Sequence, residues 1–489
     1  MCDLRRWPGR RRSVIVALLA VLALATPDLV GAQAPRIRVG TNVHVSQSRE
    51  RSPYQEVVIA SDPADPTRLI ACTMLEPGPN RSVKSAVFAS FDGGASWGLP
   101  VVTTSHWSND PTCAYGPGGV AYFLHKVNDG NPVPPSSVSS DLDYLGVHRS
   151  ADGGRRWEPM IRGPQTNDRP FMTVDTRHSS ARHGRVYVAY NGHLHGETGG
   201  HDNANFRNTV VLQSSDDRGR TFATFAARGL MDQTATEGSN AAICGIDVLS
   251  DGTVLVLYSH MIIVTPGDGG PKTATGKPTE LRSALHVLRS RDGGLTFDPA
   301  VMVADVKSGY NHANARGVPA SLAVDANSAR FRDRAYVVWT DFASGRGQIR
   351  IAHSADGGIT WLAPRFVNDD SLVVVRDGGG PDHFMATVAV NKDGVVGVLW
   401  YDRREASDNL AYHARFAASF DGGLTFSPSV RVSVAPNDPK VQRDGQPFIV
   451  TGGDTAGLTA AADGRFHAVW IDNRVGLQQV WTAAITATR

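Results

Sequence analysis

The stretch SFDGGASW, Ser90–Trp97, sets a serine, an aspartate, a glycine and a terminal aromatic at fixed offsets within eight residues. The same order returns five times: SADGGRRW (Ser150–Trp157), SDDRGRTF (Ser215–Phe222), SRDGGLTF (Ser290–Phe297), SADGGITW (Ser354–Trp361) and SFDGGLTF (Ser419–Phe426). The shared pattern is S-x-D-x-G-x-[S/T]-[W/F], with Arg156 in the hydroxyl position of the second copy. The aspartates, at 92, 152, 217, 292, 356 and 421, are 60, 65, 75, 64 and 65 residues apart. Six copies at a near-constant spacing mark a repeat architecture, and repeats of this length build solenoids, propellers or arrays.

The motif has the chemistry of a tight turn. Its carboxylate can accept N–H bonds from the turn itself, and its glycine can take a positive φ. The aromatic can then pack back between sheets. Between copies lie alternating β-branched and aromatic residues around short turns, as in CGIDVLSDGTVLVLYS (Cys244–Ser259) and ATVAVNKDGVVGVLWYD (Ala386–Asp402). These read as hairpins. A third strand runs into each aspartate turn and a fourth leaves it, and four antiparallel strands per repeat make a propeller blade. No stretch has a convincing amphipathic helical pattern.

Six motif copies suggest six blades, and that is the alternative reading. The C-terminal segment GLTAAADGRFHAVWIDNRVGLQQVWTAAITATR, however, carries the first three strands of one more unit and stops before any aspartate turn. RIRVGTNVHVS, Arg36–Ser46, resembles an outer strand and precedes the first full unit. If it completes the last blade the ring closes, and closure removes exposed sheet edges. Division agrees: 489 minus 34 leaves 455 residues, or about 65 per blade for seven blades against about 76 for six. The sequence therefore predicts an all-β, seven-bladed β-propeller over residues 35–489, closed by its N-terminal strand.

Residues 1–34 are expected to be a secretory signal. A basic RRWPGRRR is followed by the short apolar run VIVALLAVLALA and an A-x-A site at Ala32–Ala34. The run is too short for a membrane span, so the mature chain is expected to be secreted or periplasmic, free of the membrane and monomeric. A net charge of +2 on 489 residues gives no case for a nucleic-acid partner. Cys72, Cys113 and Cys244 would remain after cleavage, an odd number in which Cys72–Cys113 is the most plausible pair.

Aspartate turns of this pattern on a propeller resemble the Asp-box, or BNR, repeats of the sialidase superfamily, and the resemblance covers the whole mature chain. It implies a glycoside hydrolase acting on glycans, anionic sugars among them, in a pocket at the propeller axis. The same repeats also occur in non-catalytic propellers that bind glycans or proteins, which is the alternative. Sialidases use a tyrosine nucleophile activated by a glutamate, an aspartate acid/base and three arginines that clamp the substrate carboxylate. Here PRIRV (Pro35–Val39) lacks the aromatic of the family's F/Y-R-I-P signature and lies in the closing strand, so its arginine is not carried over. Sialidases of this family are typically six-bladed.

Residues that break the repeat are the better site candidates, and the face away from the aspartate turns is where they should converge. Leading into successive blades are Glu56 in SPYQEVV, Asp110 in SNDPTC, Asp168 and Arg169 in NDRPFM, and Glu237 in TEGSN. Arg316 in NARGVP and Asp382 with His383 in GPDHFM follow. Crowded carboxylates raise one another's pKa, which suits acid/base work. Asp168, Glu237, Asp382, Glu56 and Tyr401 are accordingly the catalytic candidates, with Tyr54 and Tyr310 as other possible nucleophiles. Arg169, Arg316, Arg404, Arg474 and His383 are the substrate-binding candidates. Arg404 and Arg474 share a W-x-D-x-R pattern whose aspartates, Asp402 and Asp472, read with Asp341 as turn caps. His193, His195 and His201 lie with Glu197 and Asp202 in a long loop without diagnostic metal spacing. No metal or other cofactor is expected.

Overall fold

The computed structural model describes residues 36–75, 83–105, 107–128, 143–166, 168–193, 208–222, 239–264, 280–307, 320–370, 381–441 and 452–489. The proposed signal segment lies outside these residues. Strands dominate: the only helical pieces among the described residues are two short 3-10 turns, Gln47–Arg49 and Pro117–Gly119. No helix is long and apolar enough to cross a membrane.

Seven antiparallel sheets form. Their innermost strands, in chain order, are Tyr54–Ser61, Trp107–Gly116, Asp168–Val174, Ser239–Val248, Ala320–Asp325, His383–Val390 and Gly457–Ala460. Each packs against the next, and the last packs against the first, so the sheets are seven blades of a closed ring. The chain runs outward through each blade, and the described part of blade three has three strands.

Closure is made by the N-terminal strand, as the sequence predicts. Blade seven supplies Gly457–Ala460, Phe466–Asp472 and Gln479–Thr488 from the C-terminus, and Arg36–Val39 pairs with the last of these, Arg36 opposite Thr488 and Val39 opposite Ile485. After Gly40, whose N–H donates to Ala484 O at 2.8 Å, the chain rejoins the same strand at Val43–His44.

The repeated motif is the self-satisfied turn that its sequence suggests. In the fourth copy Ser290 Oγ donates to Asp292 Oδ1 at 2.9 Å and accepts the Gly294 N–H at 2.7 Å. Thr296 N–H donates to Asp292 Oδ1 at 2.9 Å and Thr296 Oγ1 to Oδ2 at 2.5 Å. Partial burial alone would raise this carboxyl, but the donors outweigh it and hold the pKa down at about 2. Copy two, with Arg156 in the hydroxyl position, keeps the backbone bond, Arg156 N–H to Asp152 Oδ1 at 2.9 Å. The first glycine of the turn takes φ of +69° to +78° in five copies, and Arg218 occupies that place in the third at +60°.

Each motif aromatic wedges between its own blade and the one before. Trp157 packs with Ile70, Val87 and Phe123 between blades one and two, and Trp361 with Leu255, Leu257 and Trp339 between blades four and five. Blade seven has no such turn. The seam between blades six and seven is filled instead by Trp470, Trp481 and Phe466, with Ile37 and Val39 of the closing strand packed against them.

A chain that begins at Gln47 lacks both closing strands and leaves Gln479–Thr488 as an open edge over an apolar seam. It is expected to melt at least 10 °C below a chain that begins at Pro35 and to aggregate on heating, since an exposed edge templates pairing. Equal melting temperatures in calorimetry would show that the pairing does not hold the ring.

Candidate functional site

On the inner strands of blades one, two, three and six the ladder is interrupted by a bulge near the mouth of the blade. A residue at each bulge takes the left-handed region: Glu56 at φ +53°, Asp110 at +49°, Arg169 at +43° and Met385 at +56°. A bulge redirects a side chain out of the sheet's alternation. In blades one, two and three the redirected side chain is charged.

These charges meet across the ring. Arg169 of blade three donates from Nη2 to Asp454 Oδ2 of blade seven at 2.7 Å, spanning the mouths of blades one and two. Arg169 Nε is also 3.8 Å from Asp168 Oδ2. The Asp168 carboxyl lies in the field of Asp110, and Asn109 Nδ2 donates to Asp110 Oδ2 at 3.1 Å. Lys126, from the second strand of blade two, pairs with Asp143 Oδ2 at 3.0 Å and acts electrostatically on Asp168 and Asp110. Glu56, buried at 9% exposure, lies in the field of Asp110, Asp454, Arg169 and Asp168.

Neighbouring buried carboxyls cannot both ionise cheaply. Burial, then the neighbouring Asp168 carboxylate, pushes Asp110 up to about 7, while Lys126 and Arg169 partly offset them. Burial pushes Glu56 well up, and the charges of Asp110 and Asp454 add to it. Lys126 and Arg169 go the other way: burial would favour loss of their protons, but the surrounding carboxylates more than compensate. The cluster can therefore hold and release a proton near neutrality on Asp110.

Of the residues singled out from sequence, Glu56, Asp110, Asp168 and Arg169 share this axial space. Glu237, Arg316 and Tyr310 lie outside the described residues, as do His195, Glu197, His201 and Asp202 of the metal-candidate loop. Among the described residues no group of three or more His, Cys, Asp or Glu side chains could hold a metal ion.

The blade-six candidates belong to a different network. Asp382 is fully buried, and its carboxylate accepts the Gly347 N–H at 2.8 Å and Asn409 Nδ2 at 2.7 Å. His383, also fully buried, sits between Asp370 at 2.9 Å from Nε2 and Asp402 at 3.0 Å from Nδ1. Burial would lower this imidazole's pKa, but its two carboxylates raise it. Arg404 forks onto Asp402, Nε to Oδ1 at 2.8 Å and Nη2 to Oδ2 at 2.7 Å, and reaches Asp369 at 2.8 Å. Arg474 repeats the fork on Asp472, with Nε to Oδ1 at 2.9 Å, and its guanidinium stacks 3.9 Å over Trp481. In both, the tryptophan of W-x-D-x-R donates its indole N–H to the same aspartate, at 2.9 and 2.8 Å. The pattern is thus a closed local unit, and the three described arginine candidates sit in three separate ion pairs.

Tyr401 is fully buried between Phe384 and Tyr412, and its Oη accepts the Ile471 N–H at 3.2 Å. Tyr54 is likewise enclosed in the seam of blades one and seven, where burial lifts its hydroxyl to about 12. Neither is placed to attack a substrate. Sequence reasoning missed Asp454 and Lys126. Asp454, in GGDTAG, leads into blade seven just as Glu56 leads into blade one and could have been found by that rule. Lys126 sits at the far end of a second strand and gives no such signal.

The pH dependence of stability tests the cluster directly. A carboxyl whose folded pKa lies above its unfolded value contributes stability that is present below about pH 4 and lost as pH rises through about 7. Asp110→Asn removes that loss while keeping a donor for Asp168. The variant is expected to melt a few degrees above the wild type at pH 8 and to lose that advantage at pH 5. A constant offset between the two melting curves across pH would contradict the coupling.

A family profile described as BNR repeat-like domain matches residues 36–314, more than half of the chain. Among solved structures, a sialidase of Hadza microbial origin is 14% identical, with TM-score 0.45, covering 85% of this chain and 75% of its own. An intramolecular trans-sialidase from Ruminococcus gnavus is 14% identical, with TM-score 0.40 and coverages of 91% and 96%. A polysaccharide lyase, an ulvan lyase, is 13% identical, with TM-score 0.48 and coverages of 90% and 95%. A comparison with curated proteins gave no match.

Proposed function

We propose, from the premise that this chain belongs to the BNR repeat-like domain family and is a sialidase-like β-propeller, that it is an exported glycoside hydrolase whose active site is the axial carboxyl cluster. The observation that carries this reading is the carboxyl pair Asp110–Asp168, held at the mouth of the ring by charges from blades two, three and seven. Breaking a glycosidic bond requires a group that gives a proton to the leaving oxygen and a second carboxylate facing the anomeric centre. Asp110 supplies the first, because burial and then the neighbouring Asp168 carboxylate push it up to about 7. Glu56, redirected into the same space by its bulge, takes the second role in its ionised form, which burial and the charges of Asp110 and Asp454 disfavour at low pH. Arg169 and Lys126 position the carboxyls.

Charge balance bears on the sugar. Arg169 is engaged by Asp454 and Lys126 by Asp143, so neither cation is open to a substrate carboxylate. A neutral or amino sugar suits a site of four carboxyls better than an anionic one, and hydroxyl groups are natural donors to carboxylate oxygens. Of the candidate nucleophiles the described residues hold, Tyr54 and Tyr401 are enclosed, and the reaction is assigned to the carboxyls. The same cluster without turnover would serve a glycan-binding propeller, and kinetics separate the two.

A panel of fluorogenic glycosides, neutral, amino and sialyl, is the experiment. Turnover of a neutral or amino glycoside is expected, with at least 100-fold lower kcat/KM on the sialoside. Asp110→Asn should lower kcat by about 100-fold or more, in keeping with loss of a general acid. Asp168→Asn removes the like charge that raises Asp110, so the alkaline limb of the kcat/KM profile should move to lower pH. An unmoved limb would dismiss the pair as the acid. Glycan binding on an array with no turnover of any glycoside would favour the binding propeller.

A further inference from the structure

Two thiols meet at the seam between blades one and two. Cys72 lies on the second strand of blade one, Leu69–Leu75, directly opposite Val58 on the inner strand. Cys113 lies on the inner strand of blade two, and its Sγ is 3.8 Å from both Val58 O and Ile70 O, so it reaches onto the patch of sheet that holds Cys72. Both side chains pack in one apolar cluster with Ile70, Val87 and Phe123. Both are free, as is Cys244, which packs in another seam, between blades four and five.

We propose that Cys72 and Cys113 are an oxidative modification site, a pair that closes an interblade disulfide while the chain folds and not afterwards. Adjacency of the two side chains on one patch of the seam supplies the pairing. Timing follows from access: Cys72 is fully buried and Cys113 is 5% exposed, so no oxidant can reach either sulfur once blade two has docked on blade one. Burial also raises the Cys72 thiol, which disfavours the thiolate that must attack. In the unfolded chain neither barrier exists.

The oxidant is a disulfide, of a small thiol or of a thiol oxidoreductase. One cysteine thiolate attacks it, forming a mixed disulfide and releasing one thiol. The second thiolate then attacks the protein sulfur of that mixed disulfide and releases the other thiol. One protein S–S bond forms, two S–H bonds are lost, and the oxidant's disulfide is reduced to two thiols. The bond would tie together strands 41 positions apart in sequence (113 minus 72), with Asp110 three residues before its second anchor.

The test compares the full chain refolded from denaturant in glutathione disulfide and glutathione with folded, reduced protein held in the same mixture. Peptide mapping is expected to find Cys72 joined to Cys113 only in the refolded sample, with Cys244 open to alkylation in denaturant. Reduction of that sample should lower its melting temperature by about 5 °C, and Cys113→Ala should abolish this sensitivity while Cys244→Ala keeps it. Alkylation of both Cys72 and Cys113 after oxidative refolding overturns the proposal. So does a bond to Cys244, equal oxidation of the already folded protein, or melting that ignores reductant.

Discussion

Everything at the axis depends on the antiparallel pairing of Arg36–Val39 with Gln479–Thr488. A propeller left open at that seam has two sheet faces to hide and no partner for either. With the seam closed, blade seven is fixed against blade one, and only then does Asp454 stand 2.7 Å from an arginine 285 residues earlier. Strand addition at the rim thus completes the blade that brings Asp454 to the centre.

The fold uses aspartate in two opposite ways. In the six repeated turns a carboxylate is surrounded by donors from its own loop, which hold it ionised and leave it nothing to offer a ligand. At the axis carboxyls are surrounded by other carboxyls and by burial, which hold protons on them. The difference lies in the neighbours, not in the residue. Repetition supplies the first environment, because a hydrogen-bonded turn is local and can be copied. Departures from repetition supply the second, since a crowd of like charges needs several blades to differ from one another at the same level.

This explains what could be read from the sequence. The turn, its spacing, the seventh blade and the closing strand follow from local chemistry and from period, and the structure has them all. Four axial residues were legible because Glu56, Asp110 and Arg169 occupy one repeated position, with Asp168 beside it, and break its composition. Asp382 and His383 sit just before the corresponding place in blade six, which Met385 holds, and they are drawn into the network of Asp370, Asp402 and Arg404. That choice turns on the neighbours: Gly347 and Asn409 offer donors to Asp382, and no pattern along the chain announces them. Lys126 was illegible for a similar reason, since its importance comes from Asp110 and Asp168 on adjacent strands.

The bulges show how a symmetric scaffold is made asymmetric at small cost. Met385 takes the same left-handed conformation as Glu56, Asp110 and Arg169, so the strain belongs to the scaffold and not to catalysis. A non-glycine residue there costs about 1–2 kcal/mol, and the ring bears it whether or not the side chain is charged. What distinguishes blades one to three is the side chain placed on a backbone already bent inward. A charged residue at such a position gains a view of the axis without any further distortion of the sheet. Function on this propeller is thus a matter of which side chains occupy bulges that the fold already supplies, and that is why the site lies on the face that the repeated turns leave free.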